Sequence, residues 1–193
     1  SSLVEDQMHY NAALVSQVVH EARLLYSSEA VGRVRGVSGV TVSNRYQTVP
    51  GAIPNPATFT ILLGERLSAM GTVVHMYSDL PFKNRHGGPR DEFGVAALAH
   101  ANRDPETPLI EYEVKDNMEV MRYAGAMLME ASCVDCHNTH PDSPKRGWKV
   151  GDVRGVLEVT QPYSAPLAAV RGAKETRVLL FAVAVLIVFA AIF

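Results

Sequence analysis

The chain has 193 residues, 47% hydrophobic and 20% charged, with a formal net charge of −2. That length suits one domain with appendages, and so even a charge balance excludes an electrostatic footprint for nucleic acid. Two cysteines are too few for a disulfide framework, and no Gly-rich phosphate loop, G-x-S-x-G or H-E-x-x-H sequence is present.

In chain order, residues 3 to about 34 predict a helix. Tyr10, Leu14, Val15, Val18, Val19, Ala22, Leu25 and Tyr26 recur at spacings of three and four and are read as one apolar face. His20 lies beside that face. The opening Ser1-Ser2, with no apolar stretch, leads us to expect a leader upstream, either a cleaved signal or a first membrane helix. Residues 1–35 are therefore set apart as an N-terminal amphipathic helix.

Gly32, Gly36 and Gly39 break the pattern, and residues 36–55, with Pro50 and Pro54, read as loop. Asn55-Pro56 is a helix start, with Asn as N-cap and Pro at the first helical position. Phe59, Leu62, Leu63, Leu67 and Met70 should form the buried stripe, and Gly71 the C-cap. Residues 72–78 (TVVHMYS) predict a strand, and 79–90 a Pro- and Gly-containing loop. Asp91 should cap a helix to about Asn102, with Phe93, Ala97, Leu98 and Ala101 inward. Strands at 109–114 and 118–125 are joined by Lys115-Asp116-Asn117, a hairpin connection. A last strand is expected at 153–160, after a polar loop at 138–149. Four strands without regular βαβ alternation indicate an α+β domain on an antiparallel sheet.

Between the hairpin and that loop stands Cys133-Val134-Asp135-Cys136-His137, which holds both cysteines of the chain. C-x-x-C-H is the spacing of covalent c-type haem attachment. Each thiol adds across one haem vinyl group, and the following imidazole ligates the iron. A thioredoxin-like site needs a strand before the motif and a helix opening at its first cysteine, and Pro141 and Pro144 disfavour a long helix after it. Zinc would have to use Cys133, Cys136, His137 and His140, a poor tetrahedral set with no second C-x-x-C. A disulfide across two intervening residues would stabilise little. One covalent haem c, with Cys133 and Cys136 holding it and His137 as proximal ligand, is the expectation. It places the domain outside the cytosol, in a periplasm, thylakoid lumen or intermembrane space.

Residues 178–193 (VLLFAVAVLIVFAAIF) are sixteen apolar residues without a polar side chain. They reach about 24 Å as a helix, toward the ~30 Å hydrocarbon core, and are read as a transmembrane helix. Arg171, Lys174 and Arg177 precede it, in a juxtamembrane junction at 163–177, and suit snorkelling. They would lie on the haem side, against the positive-inside tendency.

From about Tyr26 to Pro162 the sequence resembles the extracytoplasmic c-type haem domains found in front of nucleotide cyclases, diguanylate cyclases and histidine kinases. The blocks that carry the likeness are Ile53-Pro54-Asn55-Pro56-Ala57-Thr58-Phe59, Tyr77-Ser78-Asp79-Leu80-Pro81-Phe82, Gly87-Gly88-Pro89-Arg90-Asp91-Glu92-Phe93, Arg122-Tyr123-Ala124 and residues 133–159. The resemblance implies a PAS-like haem c domain over 36–162, with haem on one face of an antiparallel sheet and a long N-terminal helix. It implies haem roles for Cys133, Cys136 and His137, makes Arg122 and Tyr123 candidates for the haem edge, and has Trp148 and Lys149 shield the group. A relative carries a distal cysteine, but here the corresponding helix reads Thr60-Ile61-Leu62-Leu63. The iron is then five-coordinate or takes His75, Met70 or His20.

Two functions follow as expectations. One is a membrane-anchored mono-haem cytochrome domain in electron transfer or redox reporting, with lipid, other membrane subunits and a redox partner around it. The alternative is the haem-based redox or gas sensor ectodomain of a receptor. A structural subunit with an inert haem is weaker. With no nucleophile–base pair in view, a non-enzyme is expected.

Overall fold

The structure, a computed structural model, describes residues 3–83, 85 and 87–163. The predicted first helix is α1 (Leu3–Leu25), continued by a π-helical segment (Tyr26–Val31) and a short turn, α2 (Gly32–Val34). Its buried residues are Met8, Ala12 and Val19, of which only Val19 belongs to the expected face. Tyr10, Leu14, Val18 and Leu25 are 63%, 46%, 56% and 60% exposed. The periodic residues therefore belong to two stripes on different sides of one helix.

The loop after α2 contains a small parallel pair, β1 (Thr41–Ser43) and β2 (Ala52–Pro54). α3 (Pro56–Ser68) begins where expected: the Asn55 side chain accepts from the Thr58 amide at 2.9 Å. Gly71 adopts φ +89° just beyond the helix end, a left-handed conformation that glycine takes freely. Met70 departs from the predicted stripe and is 79% exposed. Gly64 instead meets the neighbouring strand so closely that a Cβ there would lie 2.8 Å from the Val74 carbonyl oxygen.

The remaining strands form one antiparallel sheet: β3 (Val73–Tyr77), β4 (Leu109–Lys115), β5 (Met118–Leu128) and β6 (Val153–Pro162), in the order β3-β6-β5-β4. Asp116 and Asn117 take φ 50° and 62°, the left-handed pair that a tight hairpin requires. α4 (Glu92–Arg103) starts on Asp91, whose side chain accepts from the Gly94 amide.

Alternation along the strands distributes the core over two sheet faces. Phe93, Ala97, Leu98 and Ala101 of α4 pack with Tyr77, Ala124 and Val156 on one face. On the other, Met8 and Ala12 pack with Met121 and Val159, and Val19 with Met127 and Leu157, alongside Leu63 and Leu67 of α3. The result is three layers: α4, the sheet, then α1 with α3. No helix among the described residues is long and apolar enough to cross a membrane. The stretch read as transmembrane, 178–193, lies outside the described residues, as does the junction beyond Tyr163.

Candidate functional site

β5 leads directly into α5 (Ala131–Thr139), a nine-residue helix that carries the whole C-x-x-C-H motif. It corrects the expectation of loop from residue 138. The helix stops at His140, where Pro141 follows, because proline cannot donate to the preceding turn. Cys133, Cys136 and His137 stand at i, i+3 and i+4, which brings all three to one side of α5. α5 sits at the end of the sheet where β3 and β5 finish and β6 begins, and it packs against the π-helical segment after α1.

Both cysteines are free thiols and half-buried. Burial pushes the Cys136 thiol up, against the opposing pull of Arg35. Burial likewise lowers His137, helped by Arg154, Arg23 and His140, from 6.5 to about 4. The imidazole is neutral at ordinary pH, the form that binds a metal. Its Nδ1 is buried without a hydrogen-bond partner among the described residues. Phe82 and Trp148 meet the His137 ring edge-on, with centroids at 5.1 and 6.2 Å. Phe82 also meets His140, at 5.2 Å.

Cations border this group. Arg23 of α1 points one guanidinium nitrogen toward Cys133 Sγ at 4.0 Å and another toward His20 Nδ1 at 3.4 Å. Arg154 is the extra residue of a bulge in β6: its neighbours Val153 and Gly155 pair with Leu128 and Met127, and it has no partner itself. Such a bulge re-aims a side chain. Here the guanidinium donates to Ser78 Oγ at 2.5 Å and lies 5.6 and 5.9 Å from the Trp148 and Phe82 ring centres. Arg35 pairs with Asp135 at 2.9 Å. Sequence reasoning singled out none of Arg23, Phe82 and Arg154. Phe82 and Arg154 carried a signal, as members of the Tyr77–Phe82 and 133–159 blocks. Arg23, a lone arginine on a helix, carried none.

The other expected site residues are dispersed. Trp148 is beside His137, fully buried, with Lys145 Nζ 4.2 Å over its ring, whereas Lys149 is exposed. Tyr123 packs with Met8, Ala12, Met121 and Val159 under α1. Arg122 lies on the α4 face, 3% exposed, and donates to Glu158, Asp91 and Glu113 at 2.8, 2.8 and 3.2 Å. Burial works against its charge, but those carboxylates win and hold its pKa above the ordinary value. Of the three distal candidates, His20 is joined to the motif through Arg23. His75 is on the α4 face, in a cavity of about 160 Å³ with Arg90, Asp91 and Arg122. Met70 is in the exposed turn after α3.

The residues fit a haem. Two unpaired thiols and a neutral imidazole share one helix side, an imidazole nitrogen lacks a partner, and aromatic rings flank it. Zinc fits less well, since no group of three or more His, Cys, Asp or Glu among the described residues could hold a metal ion.

The fold and site define a class: an α+β domain with a helix-borne C-x-x-C-H at one end of its sheet. The chain belongs to the Tll0287-like family, which it matches over residues 1–162. A similar solved structure is the crystal structure of the cyanobacterial heme-protein Tll0287, with 17% identity and a TM-score of 0.55, covering 84% of this chain and 97% of that one. No curated protein sequence matches. The structural likeness extends the shared fold over most of both chains.

Proposed function

We propose that this chain carries one covalent haem c and works as a membrane-anchored cytochrome domain in electron transfer or redox reporting. The carrying observation is the set of Cys133, Cys136 and His137 on one side of α5, with both cysteines free of a disulfide and the imidazole uncharged. Cys133 and Cys136 would hold the haem as thioethers, each S–H adding across a vinyl C=C with sulfur on one carbon and the hydrogen on the other and no net oxidation. When bound, the haem would supply a one-electron iron couple. Trp148 and Phe82 exclude water from the His137 side. Arg23 and Arg154, being cations at this end, suit the propionates, whereas the donors of Arg122 are engaged by carboxylates.

On this reading the core is PAS-like, residues 178–193 span the bilayer, and the haem domain is extracytoplasmic. Its partners are lipid, neighbouring membrane subunits and a redox protein, and it is not an enzyme. The sixteen apolar residues of 178–193 support the anchor. One observation favours the sensor alternative. The long helix turns π-helical at Tyr26–Val31, where α5 packs on it, and such irregularities concentrate at functional sites. A change at the iron would there reach the helix that runs the length of the domain.

The test is an optical spectrum of purified protein, oxidised, reduced and reduced with carbon monoxide, with haem retention after denaturation. A sharp reduced α-band indifferent to carbon monoxide means two protein ligands and supports electron transfer. A high-spin spectrum that shifts with carbon monoxide supports the sensor. Haem extracted by denaturation overturns covalent attachment and both readings with it.

A further inference from the structure

Among the described residues, the second stripe on α1 joins none of the core clusters. Leu3, Tyr10, Leu14, Val18 and Leu25 are 86%, 63%, 46%, 56% and 60% exposed. At about 100° per residue they centre roughly 140° from the buried Met8, Ala12 and Val19. Only Gln7 and Glu21, both exposed, interrupt the stripe on its own side. Monomers rarely leave so continuous an apolar row in water without a use for it.

Its spacing identifies the occupant. Separations along the stripe are seven, four, four and seven, the same read from either end, with Leu14 at the centre. Residue numbers therefore pair to a constant sum: Leu3 with Leu25, Tyr10 with Val18, Leu14 with itself. Gln7 and Glu21 pair to the same sum. A helix laid antiparallel across an identical helix, with a dyad at Leu14, thus sets apolar against apolar throughout and the Gln7 amide against the Glu21 carboxylate. A self-complementary patch is what a two-fold interface demands.

We propose that the chain dimerises through α1, antiparallel, about a two-fold axis at Leu14. The parallel alternative would set Glu21 against its own copy, a like-charge contact, and align the helix dipoles. Antiparallel pairing avoids both. The exposed side chains amount to on the order of 1,000 Å² over two copies, near the lower limit of specific interfaces. The proposal is independent of the haem.

The test uses the full chain in detergent, by sedimentation and by disulfide cross-links mapped with mass spectrometry, peptides containing Cys133 and Cys136 being scored apart. Leu14→Cys should cross-link to itself. Leu3→Cys alone should not, because the two copies of residue 3 would stand about 33 Å apart at 1.5 Å per residue. A mixture of Leu3→Cys with Leu25→Cys chains should give the 3–25 link. Leu14→Glu, which puts two carboxylates at the dyad, should raise the dissociation constant about tenfold or more without changing the optical spectrum. A monomeric parent chain, its stripe covered by residues 164–193 or by detergent, overturns the proposal. So does a 3–3 cross-link, which means parallel pairing.

Discussion

His137 concentrates the chemistry of the site in one ring, and its protonation carries a signature. Burial, with Arg154, Arg23 and His140 nearby, holds its pKa at about 4 against an ordinary 6.5. Between those values the unfolded chain takes up a proton that the folded chain refuses. The contribution to stability is full above about 6.5 and is lost as pH falls toward 4. Haem-free protein should melt at lower temperature at pH 4.5 than at pH 7, and His137→Gln should narrow that difference. Arg122 yields a different prediction. It and Glu158 are 3% and 5% exposed, so Arg122→Met strands a buried carboxylate and should cost about 3–5 kcal/mol by denaturant unfolding. Adding Glu158→Gln should recover part of that loss. The haem spectrum should remain unchanged, because Arg122 is on the α4 face and α5 is at the end of the sheet.

Among the elements, the N-terminal cap of α3 fixes where that helix starts, and the bulge in β6 aims Arg154 at the site. Asn55 caps α3 through the Thr58 amide and also accepts from Arg85 Nη2 at 3.1 Å. Asn55→Ala should therefore cost about 1–2 kcal/mol, the upper part of the usual cap range, measured by thermal unfolding. At the bulge, a Cβ on Gly155 would clash with the Tyr77 carbonyl oxygen. Gly155→Ala should push β6 away from β3, lower the melting temperature by several degrees and perturb the haem spectrum through Arg154. Capping and turn signals made α3, α4 and the hairpin readable beforehand, since each is a local matching of one side chain to nearby backbone. α5 was not readable. Its short span, with Pro141 immediately after, disguised a helix whose place is set by β5 before it and by the π-helical segment it packs on.

For the molecule as a whole, the layers and the anchor set different expectations. The last described strand is β6, and the Tyr163 hydroxyl just beyond it donates to Glu5 Oε1 at 3.3 Å. A chain ending at Tyr163 should stay in the aqueous phase of a detergent partition, whereas the full chain should enter the detergent phase if 178–193 anchors it. Equal partition of the two would remove the anchor from the proposed function. The sequence alone determined the C-x-x-C-H motif, the α+β class, the order of α3, α4 and the four strands of the main sheet, and the inward residues of α4. Each rests on contacts along the chain or on a period that only one sheet face can satisfy. Tertiary structure alone decided which side of α1 is buried, since two apolar stripes on one helix share the same three-and-four spacing. It also decided that His20, through Arg23, lies with the motif while His75 and Arg122 lie on the α4 face. Strand register sorts residues between faces, and a bulge at Arg154 turns one of them toward the site. Both are set by pairings between residues far apart in the chain.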